Sequence, residues 1–249
     1  MLFVPERPTK AIILGADLPV GSDGGPCGLV DLGGKPLIEH QIEALELAGI
    51  QDIIVVGDAE RNDLPCRATR HPSVRLVFNP FSRQSGTLGS LWVARDELDR
   101  NILLVDGGIL PSADVVEAMT RGGMPIAVAV SKCCSDLEGD VEVEGGRICA
   151  AAKAVGAGRA DARAIGLLAL QGPGVALVRE SLSAVLAKPG QLSKGILGIV
   201  SNLIDLLPVG FVALDGLHWM EVGPMPWRFR GEPPSVPVDL PGNETVAWP

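Results

Sequence analysis

Seven short aliphatic runs punctuate this chain: AIIL (11–14), DIIVV (52–56), VRLVF (74–78), ILLVD (102–106), IAVAV (126–130), IGLLAL (165–170) and FVAL (211–214). Their apolarity is continuous. A strand with one wet face alternates apolar and polar residues, whereas a strand buried on both faces does not. The runs therefore specify a mainly parallel sheet covered on both sides. The stretches between them supply the cover. Pro36 suits a first helical position, Ile38, Ile42 and Leu45 form a stripe, and Gly49 suits the residue beyond the helix end. Leu88, Leu91, Arg95 and Leu98 mark a second helix, with Trp92 expected in the core. Ser112 is a fair cap for a third helix, and 174–187 reads as a fourth. Leu192, Ile196, Ile199, Leu203 and Leu207 repeat at helical spacing until Pro208. VEVEGGRICA (141–150) reads as a hairpin turning at Gly145-Gly146. The expected fold class is α/β: a Rossmann-like, doubly wound, mainly parallel sheet with a small β-hairpin insertion. Such a sheet binds its ligand at the carboxyl ends of its strands.

The 249 residues divide into a single α/β domain over 1–230 and a Pro-rich C-terminal tail over 231–249. A formal net charge of −9 argues against a nucleic-acid or membrane-surface partner. Five cysteines, an odd number without a Cys-x-x-Cys pair, fit reduced thiols and a cytoplasmic location. MLFVPERPTK lacks the apolar core of a signal peptide.

The first strand runs into a loop, residues 15–28, that carries five glycines, Asp17 and Asp23, and neither Lys nor Arg. A Gly-rich turn after a strand ordinarily cradles phosphate. Two carboxylates without a cation oppose that use.

Several segments resemble one family in order and spacing. They are this loop, GGKPLIEHQIEALELAGIQDIIVVGD (33–58), FNPFSRQSGTLGSLWVARDEL (78–98), ILLVDGGIL (102–110), AIGLLAL (164–170) and GLHWMEVGP (216–224). The chain resembles the sugar-phosphate nucleotidylyltransferases, and in particular the small branch that includes the phosphocholine cytidylyltransferases. The resemblance implies an NTP on the Gly-rich loop. A phosphorylated small molecule would attack its α-phosphorus and pyrophosphate would leave. An Arg, a Lys and two Asp that hold Mg²⁺ would carry the charge.

The departures from that pattern fall on the chemistry. Where the family has two loop glycines, an arginine and a turn lysine, this chain has Asp17, Pro19, Gly21 and Cys27. Gly108 and Gly223 stand at the two metal Asp positions, and Arg163 stands at the Glu of the Glu-x-x-Gly strand. Lys153 alone matches a catalytic position. Each lost group typically supplies several kcal/mol, and about 1.4 kcal/mol is already tenfold in rate.

The implied reading is a nucleotidyltransferase-like pseudoenzyme that binds a nucleotide or sugar-nucleotide-like metabolite, or serves as a regulatory or scaffolding subunit. Its partner would be an active paralogue or a second copy of itself. An active transferase with a rearranged site is the alternative, and a purely structural module the third. No cofactor is expected unless transfer survives, and then Mg²⁺. Candidate ligand-binding residues are Gly15, Ala16, Asn79, Ser90, Asp106, His218 and Glu221, with Lys153 as the catalytic candidate. Asp106 and Glu221 lie two residues before Gly108 and Gly223. On a strand that is the same face, about 6–7 Å further back, so together they form a candidate displaced metal pair. Otherwise Glu221 is expected to pair with Arg228 or Arg230.

Overall fold

The computed structural model describes residues 6–15, 19–20, 25–57, 64–132, 140–151, 160–188 and 195–222. Its elements in chain order are β1 (Lys10–Leu14), β2 (Pro19–Val20), β3 (Gly25–Pro26), α1 (Leu37–Leu47), β4 (Asp52–Gly57), α2 (Leu64–Ala68), β5 (Val74–Phe78), α3 (Ser82–Val93), β6 (Ile102–Asp106), β7 (Ile109–Pro111), α4 (Ala113–Thr120), β8 (Ile126–Lys132), β9 (Val141–Glu144), β10 (Arg147–Ala151), β11 (Ala162–Leu170), α5 (Pro173–Leu186), α6 (Leu197–Leu203), β12 (Val209–Ala213) and β13 (Trp219–Glu221).

All seven aliphatic runs are strands of one sheet. β6, β1, β4 and β5 lie side by side and parallel. β11 continues the sheet from β6 but runs antiparallel to it and to β8, while β12 pairs parallel with β8. The mainly parallel, doubly wound sheet expected from continuous apolarity is thus present, with β11 and the edge strand β10 reversed. The reason for the apolarity is visible in the packing. Ile12, Leu14, Ile102 and Leu104 face one core with Leu88, Leu91, Val178 and Leu182 of α3 and α5. Their neighbours Ala11, Ile13, Leu103 and Val105 face the opposite core with Ile38, Ile42 and Val116 of α1 and α4. Both faces are dry, so no position in these strands needs a polar residue.

The hairpin β9–β10 turns at Gly145 (φ 57°) and Gly146 (φ 77°), the two successive positive φ values of a type I′ turn. Gly49 ends α1 at φ 88°. The Ser112 hydroxyl caps α4 by accepting from Val115 N–H at 3.3 Å.

Two helices depart from the expectation. α3 starts earlier, at Ser82, and breaks at Gly86 (φ 60°, ψ −165°). Its buried face is Leu88 and Leu91, so Trp92 points outward: it is 38% exposed, its indole N–H donates to Ser183 at 3.1 Å, and Arg95 stacks over its ring. Trp92 is therefore not a core residue. α6 spans only Leu197–Leu203, with Leu206 and Leu207 in a turn before Pro208; Leu192 lies outside the described residues.

At the amino ends of the parallel strands sits an ion network that the sequence did not disclose. Lys10, 1% exposed, donates to Glu97 and Asp99 at 2.9 Å each, and Arg75 bridges Glu97 and Asp52. Among the described residues no helix is long and apolar enough to cross a membrane.

Candidate functional site

The carboxyl ends of β1 and β6 lie together beside the start of the Gly-rich loop, where an α/β sheet of this kind has its ligand crevice. β1 ends at Leu14, level with Asp106 at the end of β6. Gly15 follows at φ 75°, and its carbonyl accepts from the Cys27 thiol at 3.2 Å. That buried thiol holds the loop's return to its start, a structural role rather than that of an exposed nucleophile. Ala16, Asp17, Gly21 and Asp23 lie outside the described residues.

The turn after Asp106 is clamped from three sides. Gly107 N–H donates to Leu14 O at 2.7 Å. The fully buried Gln41 of α1 shares its amide N–H groups among the carbonyls of Asp106, Gly107 and Ile109, at 3.3, 3.2 and 2.7 Å. Val222 N–H donates to Gly108 O at 2.7 Å, which continues the β7–β13 ribbon to the turn. Gln41 lies on the α1 stripe among Ile38, Ile42 and Leu45; a polar residue on a buried stripe was the one sequence signal for this clamp.

Asp106 is a half-buried acid at the end of β6. Its carboxyl accepts from Gly108 N–H at 3.0 Å and from the Thr87 hydroxyl at 3.2 Å. Burial pushes its pKa up, against those two bonds, and the charge of Glu221 adds to the rise. β11 bulges beside it between Ala164 and Leu168, where Gly166 (φ 69°) brings its backbone so close that a Cβ there would lie 2.9 Å from Asp106 Cβ.

Glu221 reaches the same crevice from β13. Its partner among the described residues is Arg163; Arg228 and Arg230 lie outside the described residues. One Arg163 nitrogen, Nη2, donates to both Glu221 oxygens at 2.7 and 3.0 Å, while Nη1 is buried without a hydrogen bond. Asp140 completes the group. It accepts from Ala164 N–H at 2.7 Å; burial raises its pKa, Ala164 N–H and Arg163 oppose the rise, and Glu221 adds to it.

The other sequence candidates are placed as follows. Asn79 and Ser90 come together but are fully buried: Asn79 Nδ2 donates to Ser90 Oγ at 3.1 Å and to Ser85 Oγ at 3.2 Å, and its Oδ1 accepts from Phe81 N–H. They fix the entry to α3. His218 lies behind the ribbon, in a small apolar cavity of about 220 Å³ shared with His40, Leu47, Leu110 and Trp219. Lys153 and Gly223 lie outside the described residues.

Among the described residues the donor set does not fit a divalent cation. Such an ion needs ionised, unpaired oxygens. Both oxygens of Glu221 are engaged by Arg163, and burial disfavours the charged form of Asp106. Gly108, where the resemblance places a metal Asp, has no room for a side chain: a Cβ would lie 2.7 Å from Val222 O. Among the described residues no group of three His, Cys, Asp or Glu is arranged to hold a metal.

Residues 11–132 match the MobA-like NTP transferase domain. Over that segment, 122 of the 249 residues, the chain is similar to nucleotidyltransferases. It is 27% identical over 143 residues to the CMP-5'-(3-aminopropyl)phosphonate synthase of Streptomyces rubellomurinus, covering 54% of this chain and 22% of that protein. It is 34% identical over 99 residues to the choline-phosphate cytidylyltransferase of Streptococcus pneumoniae, covering 38% and 43%. The chain thus spans less than half the length of either relative in the matched region. Its fold is shared with the inositol-1-phosphate CTP transferase from T. maritima, at TM-score 0.70 and 15% identity over 89% of this chain and 92% of that one. It is also shared with the CTP:phosphocholine cytidylyltransferase of Streptococcus pneumoniae, at TM-score 0.64 and 20% identity over 88% and 95%. The resemblance seen in the sequence therefore names the right superfamily and the right fold.

Proposed function

We propose that this chain is a nucleotidyltransferase-fold protein that binds a nucleotide or sugar-nucleotide-like metabolite in the crevice without Mg²⁺-dependent transfer, and acts through that binding as a regulatory or scaffolding subunit. The observation that carries the reading is the state of the two remaining carboxylates. Asp106 is packed against Gly166, and Glu221 is held by Arg163. Nucleotidyl transfer concentrates negative charge on the triphosphate. Catalysis depends on preorganised cations that spread it. Among the described residues at this crevice the one cationic side chain is Arg163, and it is already bound to an acid. The glycines at 21, 108 and 223 and the acid at 17 act in the same direction.

A second reading has its own support: the relatives that match in sequence are named as a synthase and a cytidylyltransferase. One experiment separates the two. The protein is incubated with each of the four NTPs, phosphocholine or a sugar 1-phosphate, and Mg²⁺, and pyrophosphate is measured. In parallel, nucleotide and nucleotide-sugar binding is measured by calorimetry with Mg²⁺ and with EDTA. The expected result is binding insensitive to EDTA and no pyrophosphate. Mg²⁺-dependent pyrophosphate release from any pair overturns the proposal in favour of an active transferase. Absence of all binding refutes it in favour of a structural module.

A further inference from the structure

β5 is the last strand of the sheet. β4 pairs with one of its edges, and among the described residues no strand pairs with the other. The bonds at its two ends fix which groups face outward. Ile53 N–H donates to Ser73 O, and Asn79 N–H donates to Gly57 O, both at 2.9 Å. The odd-numbered residues therefore turn their N–H and C=O groups to β4, and Val74, Leu76 and Phe78 turn theirs to the open edge. Val74 N–H is taken by His71 O at 3.1 Å. The N–H and C=O groups of Leu76 and Phe78 and the C=O of Val74 thus form a row ready for strand pairing. The side chains along this row are apolar: Leu76 is 37% exposed and Phe78 46%, and Phe81, three residues on, is 67% exposed. Edge strands are ordinarily protected by Lys, Pro or a bulge. β5 reads VRLVF, and its register with β4 is unbroken, so it has none of these. Its one charge, Arg75, is turned back onto its own sheet, donating to Asp52 at 2.9 Å and to Glu97 at 3.0 Å.

We propose that the β5 edge is the surface by which two copies of this chain associate, their β5 strands pairing antiparallel about a two-fold axis at Leu76. A foreign strand would be selected here by charged or polar side chains, and β5 offers none that is free. It offers an apolar residue at every second position, Val74, Leu76 and Phe78, symmetric about Leu76. The complement of that pattern is the same strand reversed, and a two-fold contact requires one self-complementary patch. With Leu76 opposite its own copy, the two exchange both N–H···O=C bonds of a hydrogen-bonded pair. Phe78 N–H then reaches the Val74 carbonyl of the second copy. On the face shared with Val55, Leu76 meets Leu76 and Phe78 covers Val74, the apolar cross-strand pairs that stabilise a sheet. Arg75 lies on the opposite face, already neutralised by Asp52 and Glu97, so the axis brings no unpaired like charges together. The contact uses none of the crevice carboxylates and goes beyond the proposed function, to which it adds a second copy as the partner.

The test is the mass of the full chain in solution, measured by analytical ultracentrifugation from micromolar to submillimolar concentration, with circular dichroism to confirm folding. The wild type is expected at twice the 26.0 kDa of the single chain. Leu76→Lys and Leu76→Glu are each expected to stay at the single-chain mass, because like charges then face each other at the axis. An equimolar mixture of the two is expected to regain the double mass, since residue 76 of one copy then meets the opposite charge on the other. A peptide or an unrelated protein as the occupant of this edge predicts no such rescue. A wild type of single-chain mass throughout, variants that keep the double mass, or a mixture that stays at single-chain mass overturns the proposal. Should either Leu76 variant not fold, Phe78→Lys takes its place: loss of the double mass supports the pairing, and its retention refutes it. These outcomes are separate from those of the proposed function. Pyrophosphate release by a dimer refutes the functional reading alone, and nucleotide binding by a monomer refutes the pairing alone.

Discussion

Restoring a side chain at residue 108 is expected to destabilise the protein, and the size of the effect follows from the turn. The Gly108 backbone lies against β13: Val222 N–H donates to its carbonyl at 2.7 Å, and a Cβ at 108 would lie 2.7 Å from Val222 O. Ordinary contact begins several tenths of an ångström further out. The atom in the way is backbone, so no rotamer relieves the clash. Either β13 moves away, loosening the Trp219–Pro111 and Glu221–Ile109 pairing, or the Gln41-clamped turn shifts. Overpacking of this kind costs about 1–3 kcal/mol. In a chain of this length each kcal/mol lowers Tm by about 2–4 °C, so Gly108→Ala should melt about 2–12 °C below the wild type. Gly123→Ala is the control: Gly123 is exposed and a Cβ there meets nothing within 4 Å, so its effect should stay within about 0.5 kcal/mol. The measurement is urea unfolding followed by circular dichroism, with unchanged m-values. A Gly108→Ala midpoint equal to that of Gly123→Ala would refute the reasoning. The same geometry predicts that Gly108→Asp alone creates no Mn²⁺ site.

Three further outcomes are expected. Asp106→Asn should leave stability at neutral pH unchanged or raised, because burial penalises the charged carboxyl in the folded state. The wild-type contribution from Asp106 is present below the unfolded value of about 4 and is lost as pH rises through the higher folded value, so urea midpoints of wild type and Asp106→Asn should converge towards acid, and divergence there would refute this. Glu97 and Asp99 are shifted the other way, Glu97 chiefly by its bond from Arg75 and Asp99 by Lys10 and Arg100 against the pull of burial. Their contribution is present above about pH 4 and is lost below it, and Lys10→Met should shrink this acid limb, leaving the part that Arg75 and Arg100 hold, and cost about 1–3 kcal/mol at neutral pH, checked by the same unfolding series. Ser112→Ala should cost about 1 kcal/mol through loss of the α4 cap; a change below about 0.3 kcal/mol would show that Val115 N–H finds another acceptor.

The strands were legible because a sheet buried on both faces leaves an unbroken apolar mark. The direction of β11 was not, since a dry strand reads the same in either sense. Trp92 was misjudged because helical spacing sets which residues share a face, but not which face meets the sheet. The i, i+2 rule brought Asp106 and Glu221 to one crevice. What it missed was the cation bound to Glu221. Arg163 lies 58 residues before Glu221, and no local pattern records a charge pair made by topology. Lys10 was silent for the same reason, since its partners come from a distant segment, whereas Gln41 left only the mark of a polar residue on a buried stripe.

The reversal of β11 has a consequence for how this crevice can change. In a parallel sheet, residues at the binding end follow their strands. β11 instead delivers Arg163 at its start, immediately after the β9–β10 hairpin and the segment that follows it. Insertions, deletions or grafted hairpins in that excursion can thus reset which side chain enters the crevice while β6, β1 and β4 keep their register. For protein engineering, the hairpin is a handle at one edge of the sheet, separated from β6, β1 and β4 by β11.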